Sequence, residues 1–231
     1  MTLHQPESGY CYNSDSLYLY DFISRFTPKG ELLDVGAGCG VLGLLLARDF
    51  EKVKLSAVEK QALFIDYIQK NALENEIECT LYHSNLLDLD EHKKYDFIVS
   101  NPPFYPEGVQ KSKDEVLQHA RYASSLPMDD FFSKVSRLLK PHSHFVFCYD
   151  PTAFGDICTA LAKVKMRVCD VRFIHPKAEK KASLVMVHAR NGSKAMMQVL
   201  PPLVAMDSGA YTSEAKEIFS KSNTQSIKCQ I

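Results

Sequence analysis

The sequence predicts an α/β protein with a mostly parallel sheet, helices on both faces and an antiparallel last strand. Two observations predict it. Strand-like and helix-like hydrophobic patterns alternate from residue 31 to residue 163, the order that right-handed crossovers convert into parallel pairing. The last two strand patterns, 167–174 and 182–190, are joined by a turn too short for a crossover helix, so they pair antiparallel. A length of 231 residues gives room for one large domain with appendages.

The elements follow in order. A helix is expected over 16–26, with Asp15 placed to cap it. Residues 31–35 read as a short buried strand ending in glycines, and 41–50 as a leucine-rich helix. Residues 53–58 form the next strand. Apolar positions 62, 64, 65, 68, 72 and 73 set a helix over 61–74. Strands are expected over 78–83, 95–100 and 144–149, and helices over 129–139 and 153–163. The boundaries divide the chain into an N-terminal helical cap (1–28), a core (29–190) and a C-terminal extension (191–231).

Composition excludes several classes. No stretch is long and apolar enough to span a bilayer. The first seven residues lack the basic and apolar regions of a signal peptide. Cysteines stand at 11, 39, 79, 148, 158, 169 and 229 with no Cys-x-x-Cys pair, so neither a zinc site nor a redox pair is indicated. A reducing, cytoplasmic setting and a monomer are expected. The net charge of −1 hides an asymmetry: residues 151–231 carry 12 Lys+Arg against 6 Asp+Glu, while residues 1–150 carry 15 against 22. The basic part includes Arg172, Lys177, Lys180 and Lys181. It is either a phosphate-binding face or a solvated surface.

Two motifs carry chemistry. Asp34-Val35-Gly36-Ala37-Gly38-Cys39-Gly40 closes the first core strand; its glycines let a ligand approach the backbone at a helix N-terminus. Glu59 ends the next strand, where a carboxylate can accept from both ribose hydroxyls. Gly38-Cys39-Gly40-Val41-Leu42-Gly43 also fits the dinucleotide G-x-G-x-x-G pattern, so a nicotinamide-dependent oxidoreductase or a non-catalytic nucleotide-binding module has to be weighed. Asp34 argues otherwise, because a carboxylate there suits a cationic group rather than a pyrophosphate. The second motif, Asn101-Pro102-Pro103-Phe104, follows the strand 95–100. Its prolines fix the backbone and hold Asn101 extended at a strand's carboxyl end, where open α/β sheets bind ligands. An amide with one acceptor and two donors beside an aromatic ring suits a planar amine, and hydride transfer has no use for it.

Together Asp34–Gly40, Glu59 and Asn101–Phe104 resemble the class I S-adenosylmethionine-dependent methyltransferases of the amino-methylating type. Tyr10-Cys11-Tyr12-Asn13-Ser14-Asp15-Ser16-Leu17, His119-Ala120-Arg121-Tyr122, Leu126-Pro127-Met128-Asp129-Asp130, the hairpin 167–190 and Tyr211-Thr212 further resemble the TrmN6-like family of tRNA1(Val) adenine-37 N6-methyltransferases. The resemblance implies a Rossmann-like fold with a seven-stranded sheet. It implies S-adenosyl-L-methionine as cofactor, held by Asp34, Gly36, Gly38, Gly40, Glu59, Lys60, Asn85, Leu86 and Asn101, with Asp15 closing over it. The catalytic residues would be Asn101, Pro102, Pro103 and Phe104. The substrate would be an RNA adenine N6 in a tRNA anticodon loop, docked on the hairpin near Arg172, Lys177, Lys180 and Lys181. His119 and Arg121 either contact RNA phosphate or anchor their loop. Asn85 departs from the usual carboxylate, and Asn13-Ser14 from the usual Thr. The Asn-Pro-Pro-Phe motif also fits another planar amine, guanine N2 in ribosomal RNA or a protein glutamine.

Overall fold

The computed structural model describes residues 1–7, 11–90, 92–102 and 127–230. Pro103, Phe104, Tyr10, His119 and Arg121 lie outside the described residues.

The first two core strands are β2 (Gly30–Val35) and β3 (Val53–Glu59), and their apolar residues face both ways. Leu32 packs with the cluster on one face of the sheet and its neighbour Leu33 with the cluster on the other. This is the period-two alternation of a strand covered on both sides. The strand β4 (Cys79–His83) continues the sheet outward from β3 in parallel, while β5 (Tyr95–Ser100) returns to the opposite side of β2. Beyond β5 lies β6 (Leu139–Tyr149), also parallel. The last two, β7 (Met166–His175) and β8 (Leu184–Asn191), pair antiparallel, with β8 inserted between β6 and β7. The spatial order β4-β3-β2-β5-β6-β8-β7 is the expected seven-stranded core with its last strand reversed. Two short strands, β9 (Gln198–Val199) and β10 (Leu203–Val204), pair in parallel with the outer edge of β7.

The helices divide between the faces. α1 (Ser14–Ser24) and α2 (Val41–Asp49) pack with Leu32, Leu55 and Phe97 on one face. On the same side, α3 (Ala62–Glu74) sets Ile68 against Ala57. On the other face, α4 (Met128–Leu138) and α5 (Phe154–Lys163) pack Phe131, Phe132, Ile157 and Leu161 with Leu33, Ile98 and Phe145. Full burial of each such side chain contributes roughly 1.5–3 kcal/mol.

Two expectations are corrected. Asp15 does not cap α1: the Asn13 side chain accepts from the Asp15 N–H at 3.0 Å, and the helix begins at Ser14 rather than at Ser16. An Asn one residue upstream can fold back on the first free amide, so Asp15 stays inside the first turn. The segment 1–28 is also more than a helical cap. It contains β1 (Thr2–Gln5), which pairs in parallel with β13 (Gln225–Lys228), reached through the β11–β12 hairpin (Met206–Asp207 and Ala210–Tyr211) and α6 (Ser213–Ser222). The β1–β13 ribbon sits on α3, where Asn71 and Asn75 saturate the backbone of His4 and Thr2 through their side-chain amides. Tyr18 is buried and stacks on Phe219 at 5.6 Å, a packing role, and Tyr12 packs half-buried against the same cluster.

Candidate active site

The chain runs outward from β2 to β4, then returns to add β5 and β6 on the other side. The strand order therefore reverses between β2 and β5, and open α/β sheets bind ligands at the carboxyl ends of such a pair. Val35 is paired with Ser100 there, and the Ser100 hydroxyl donates to the Val35 carbonyl at 2.8 Å. The glycine turn and Asn101 are thus the next residues along two adjoining strands.

Gly36 takes a φ of 66°, in the left-handed region that favours glycine, and a Cβ built there would meet nothing within 4 Å. The turn is open to a ligand at this residue. Its other side is closed: a Cβ on Gly43 would meet Leu55 Cδ1 at 2.8 Å and Asp34 Oδ2 at 3.0 Å. That tight packing lets Asp34 Oδ2 accept the Gly43 N–H at 2.9 Å, tying the strand end to the first turn of α2. Asp34 is 2% exposed. Burial pushes its carboxyl up to about 7, the Gly43 N–H opposes this, and the Glu59 charge adds to it. Among the described residues no cation pairs with it.

Glu59 is 6% exposed. Its Oε2 accepts the Gly38 N–H at 3.0 Å and its Oε1 the Gln61 N–H at 2.9 Å. A carboxylate has about four acceptor positions, so two remain for a diol. Gly38 and Gly40 both have positive φ, and Gly40 precedes the first residue of α2. Lys60 is exposed, and its carbonyl faces the His83 ring nitrogen at 3.2 Å. Asn85 follows β4 and caps a short 3-10 turn by accepting from Leu87 N–H at 3.0 Å, while Leu86 is buried in the core below. The carbonyl oxygen of Asn85 keeps one lone pair and its NH2 stays a donor.

Asn101 is held at both ends of its amide. Its Nδ2 donates to Ser16 Oγ at 3.1 Å, and its Oδ1 accepts from Cys148 Sγ at 3.0 Å. Cys148 is fully buried on β6, and burial, reinforced by the Asp15 charge, pushes its thiol well above the ordinary value. It stays protonated and serves as a donor. Burial also raises the Asp15 carboxyl, against the Asn13 hydrogen bond. Pro102 is buried beside Asn101. Sequence reasoning missed Ser16 and Cys148 as partners of the amide. Cys148 had only the signal of a thiol in an apolar strand, and Ser16 none beyond its place in the first turn of α1.

The basic hairpin is corrected at one position. Arg172 is 5% exposed, its Nε donates to the Pro201 carbonyl at 3.0 Å, and its guanidinium pairs with Glu214. It holds the C-terminal extension against β7 and is not free for a partner. Lys177, Lys180 and Lys181 are exposed in the turn between β7 and β8. Because β7 runs with β5 and β6, this turn lies at the same sheet edge as Asn101.

A reversed seventh strand beside a parallel sheet, with a glycine turn and Asn101 facing each other at the switch point, is the frame of the class I methyltransferases. Residues 15–124 match the family model of the methyltransferase small domain. It is similar to a tRNA1(Val) (adenine(37)-N6)-methyltransferase of Christiangramia forsetii, 32% identical over 49% of this chain and 50% of that one. The chain spans about half the length of the curated relatives it matches. Among solved structures, a predicted O-methyltransferase of Agrobacterium tumefaciens superposes with a TM-score of 0.69 at 16% identity, over 93% of this chain and 100% of that one. The 16S rRNA N2 G1207 methyltransferase of T. thermophilus, solved with AdoMet and guanosine, gives 0.58 at 23% identity, over 80% of this chain and 45% of that one. No helix among the described residues is long and apolar enough to cross a membrane.

Proposed function

We propose that the protein is an S-adenosylmethionine-dependent N-methyltransferase acting on the exocyclic N6 of adenine in RNA, with a tRNA anticodon loop as substrate. The observation that carries the reading is the Asn101 amide, fixed at both ends beside the open Gly36 turn. The residues present fit the cofactor. Gly36 leaves room for it, Asp34 is a buried carboxylate with no counter-cation among the described residues and suits an ammonium group, and Glu59 retains acceptors for a ribose diol. Asn85 would meet the adenine edge, with Leu86 beneath, and Asp15, Gly38, Gly40 and Lys60 border the same site.

S-adenosylmethionine supplies a sulfonium-bound methyl group that needs no activation. The task of the chain is therefore positioning. Asn101 Oδ1 uses one lone pair on the Cys148 thiol, and the other accepts an N–H of the target amine. The Pro102 carbonyl accepts the second. This draws the nitrogen toward tetrahedral geometry and turns its lone pair to the methyl side. Phe104, after Pro103, would stack on the base, which contributes roughly 1–3 kcal/mol in comparable contacts. The base must be unstacked to reach the site, and loops offer such bases. Lys177, Lys180 and Lys181 stand on the same sheet edge to meet RNA phosphate. We place the protein in the cytoplasm, as a monomer organised as one domain over 1–231.

Mass spectrometry of nucleosides from the RNA of a deletion strain tests the reading. Loss of N6-methyladenosine from one tRNA, restored by the wild-type chain and not by Asn101→Ala, is the expected result. An unchanged tRNA with loss of N2-methylguanosine from ribosomal RNA or of methylglutamine from a protein would overturn it.

A further inference from the structure

On the β1–β13 ribbon, away from Asn101, three side chains form an arrangement that methyl transfer does not use. Cys229 Sγ lies 3.4 Å from His4 Nδ1, and His4 Nε2 is hydrogen-bonded to the Glu74 carboxylate. A thiol, an imidazole and a carboxylate are thus lined up as nucleophile, base and orienting group. Lys70 Nζ also approaches the sulfur, at 3.7 Å. The backbone holds both partners firmly. Tyr67 OH donates to the Cys229 carbonyl at 2.6 Å, and Asn71 clamps the His4 peptide by accepting its N–H at 2.7 Å and donating to its carbonyl at 2.9 Å. Glu74 fixes the His4 tautomer, so Nδ1 faces sulfur as the free acceptor. Cys229 is half-buried, while Cys39, Cys148 and Cys169 are buried.

We propose that Cys229 is a nucleophilic thiol, the site at which this protein reacts with small hydroperoxides. This does not rest on the methyltransferase reading. His4 takes the thiol proton, and Lys70 stabilises the resulting thiolate, the form that reacts. The sulfur attacks the distal peroxide oxygen. An S–O bond forms and the O–O bond breaks. Sulfur loses two electrons and becomes a sulfenic acid, and the peroxide is reduced to an alcohol, or to water from hydrogen peroxide. The proton held by His4 passes to the departing oxygen, which balances the step. The product sulfur sits on the cluster of Cys39, Phe64 and Tyr67, and Asn71 also donates to the Cys39 carbonyl at 2.9 Å. The modification is therefore made against the cluster that contains Cys39, the residue between Gly38 and Gly40 of the glycine turn.

The test is exposure of the full reduced chain to hydrogen peroxide with dimedone present, followed by peptide mass spectrometry. Cys229 should be trapped at least about tenfold faster than Cys11, Cys79 or Cys158, because it has a base and a cation within reach of its sulfur. His4→Asn should remove that advantage. Because a change in β1 risks unfolding the ribbon, Lys70→Gln on α3 is the second variant; it should slow trapping several-fold with an unchanged melting temperature. Trapping of Cys229 no faster than of Cys11, or wild-type rates in both variants, would overturn the proposal.

Discussion

At Asn101 the chemistry depends on which way an amide points. An unrestrained Asn side chain can present its oxygen or its NH2 to a substrate, and only the oxygen accepts from an amine. Here the protonated Cys148 thiol donates to the oxygen, and Ser16 accepts from the other end. The two contacts hold the amide in place before substrate arrives. Asn101→Ala is expected to lower kcat by about 10²–10³-fold, the loss seen when one preorganised hydrogen-bonding group is removed, with cofactor affinity by calorimetry unchanged. A matching loss of cofactor binding would assign Asn101 a structural role instead. Cys148 is a positioning residue, and Cys148→Ala should lower kcat by about tenfold, one hydrogen bond's contribution, without moving cofactor affinity. Cys148→Ser restores a donor at the same place and should recover most of kcat. Equal defects in both variants would mean that the loss arises from packing.

The element we propose to meet RNA is the β7–β8 turn, and its charge can be tested apart from its fold. Lys177, Lys180 and Lys181 are exposed, whereas Arg172 is locked to Glu214 and Pro201. Neutralising the three lysines should weaken RNA binding and flatten its log–log salt dependence by up to about 2–3, near 0.7–0.9 per phosphate contact. An unchanged slope in a filter-binding titration would remove the turn from the interface. Arg172→Ala should instead lower the melting temperature. The sequence could not separate these four cations, since the partners that bury Arg172 lie 29 and 42 residues away. The same limit applies elsewhere. β5 and α3 were legible because their apolar spacing is local. β1, β9 and β10 were not, because two to four residues carry no period and their pairing partners are distant. At the site, Asp34, Gly36, Glu59 and Asn101 were legible from residue type at strand ends. Ser16 and Cys148 were not, since only the β5–β6 pairing and the seat of α1 bring them to the amide.

Among the described residues Asp34 and the His144–His188 pair titrate with opposite sign, and stability against pH should report both. Asp34 has a folded value of about 7 against an ordinary 3.8. Between these values the folded state holds an extra proton, so stability falls as pH rises from about 4 to 7, by up to ~4 kcal/mol at 1.36 kcal/mol per unit. His144 runs the other way. It is stacked on His188, whose Nδ1 faces Asp170 at 2.7 Å, and burial, the His188 charge and Arg190 lower it to about 4. Burial lowers His188 too, against Asp170. There the unfolded state binds more protons, so stability is lost as pH falls from 6.5 toward 4. Below pH 6.5 the His144 and His188 contributions oppose that of Asp34, and between pH 6.5 and 7 the Asp34 contribution dominates. Asp34→Asn keeps an acceptor for the Gly43 N–H but cannot titrate. In urea denaturation its stability should climb more steeply than that of the wild type from pH 4 to 6.5 and then level, where the wild type declines. S-adenosylmethionine should bind the wild type more tightly at pH 7 than at pH 6, because an ammonium beside Asp34 favours its ionised form. The Asn variant should show no such gain. Superimposable pH profiles for the two proteins would mean that Asp34 is ionised throughout and has found a cation of its own.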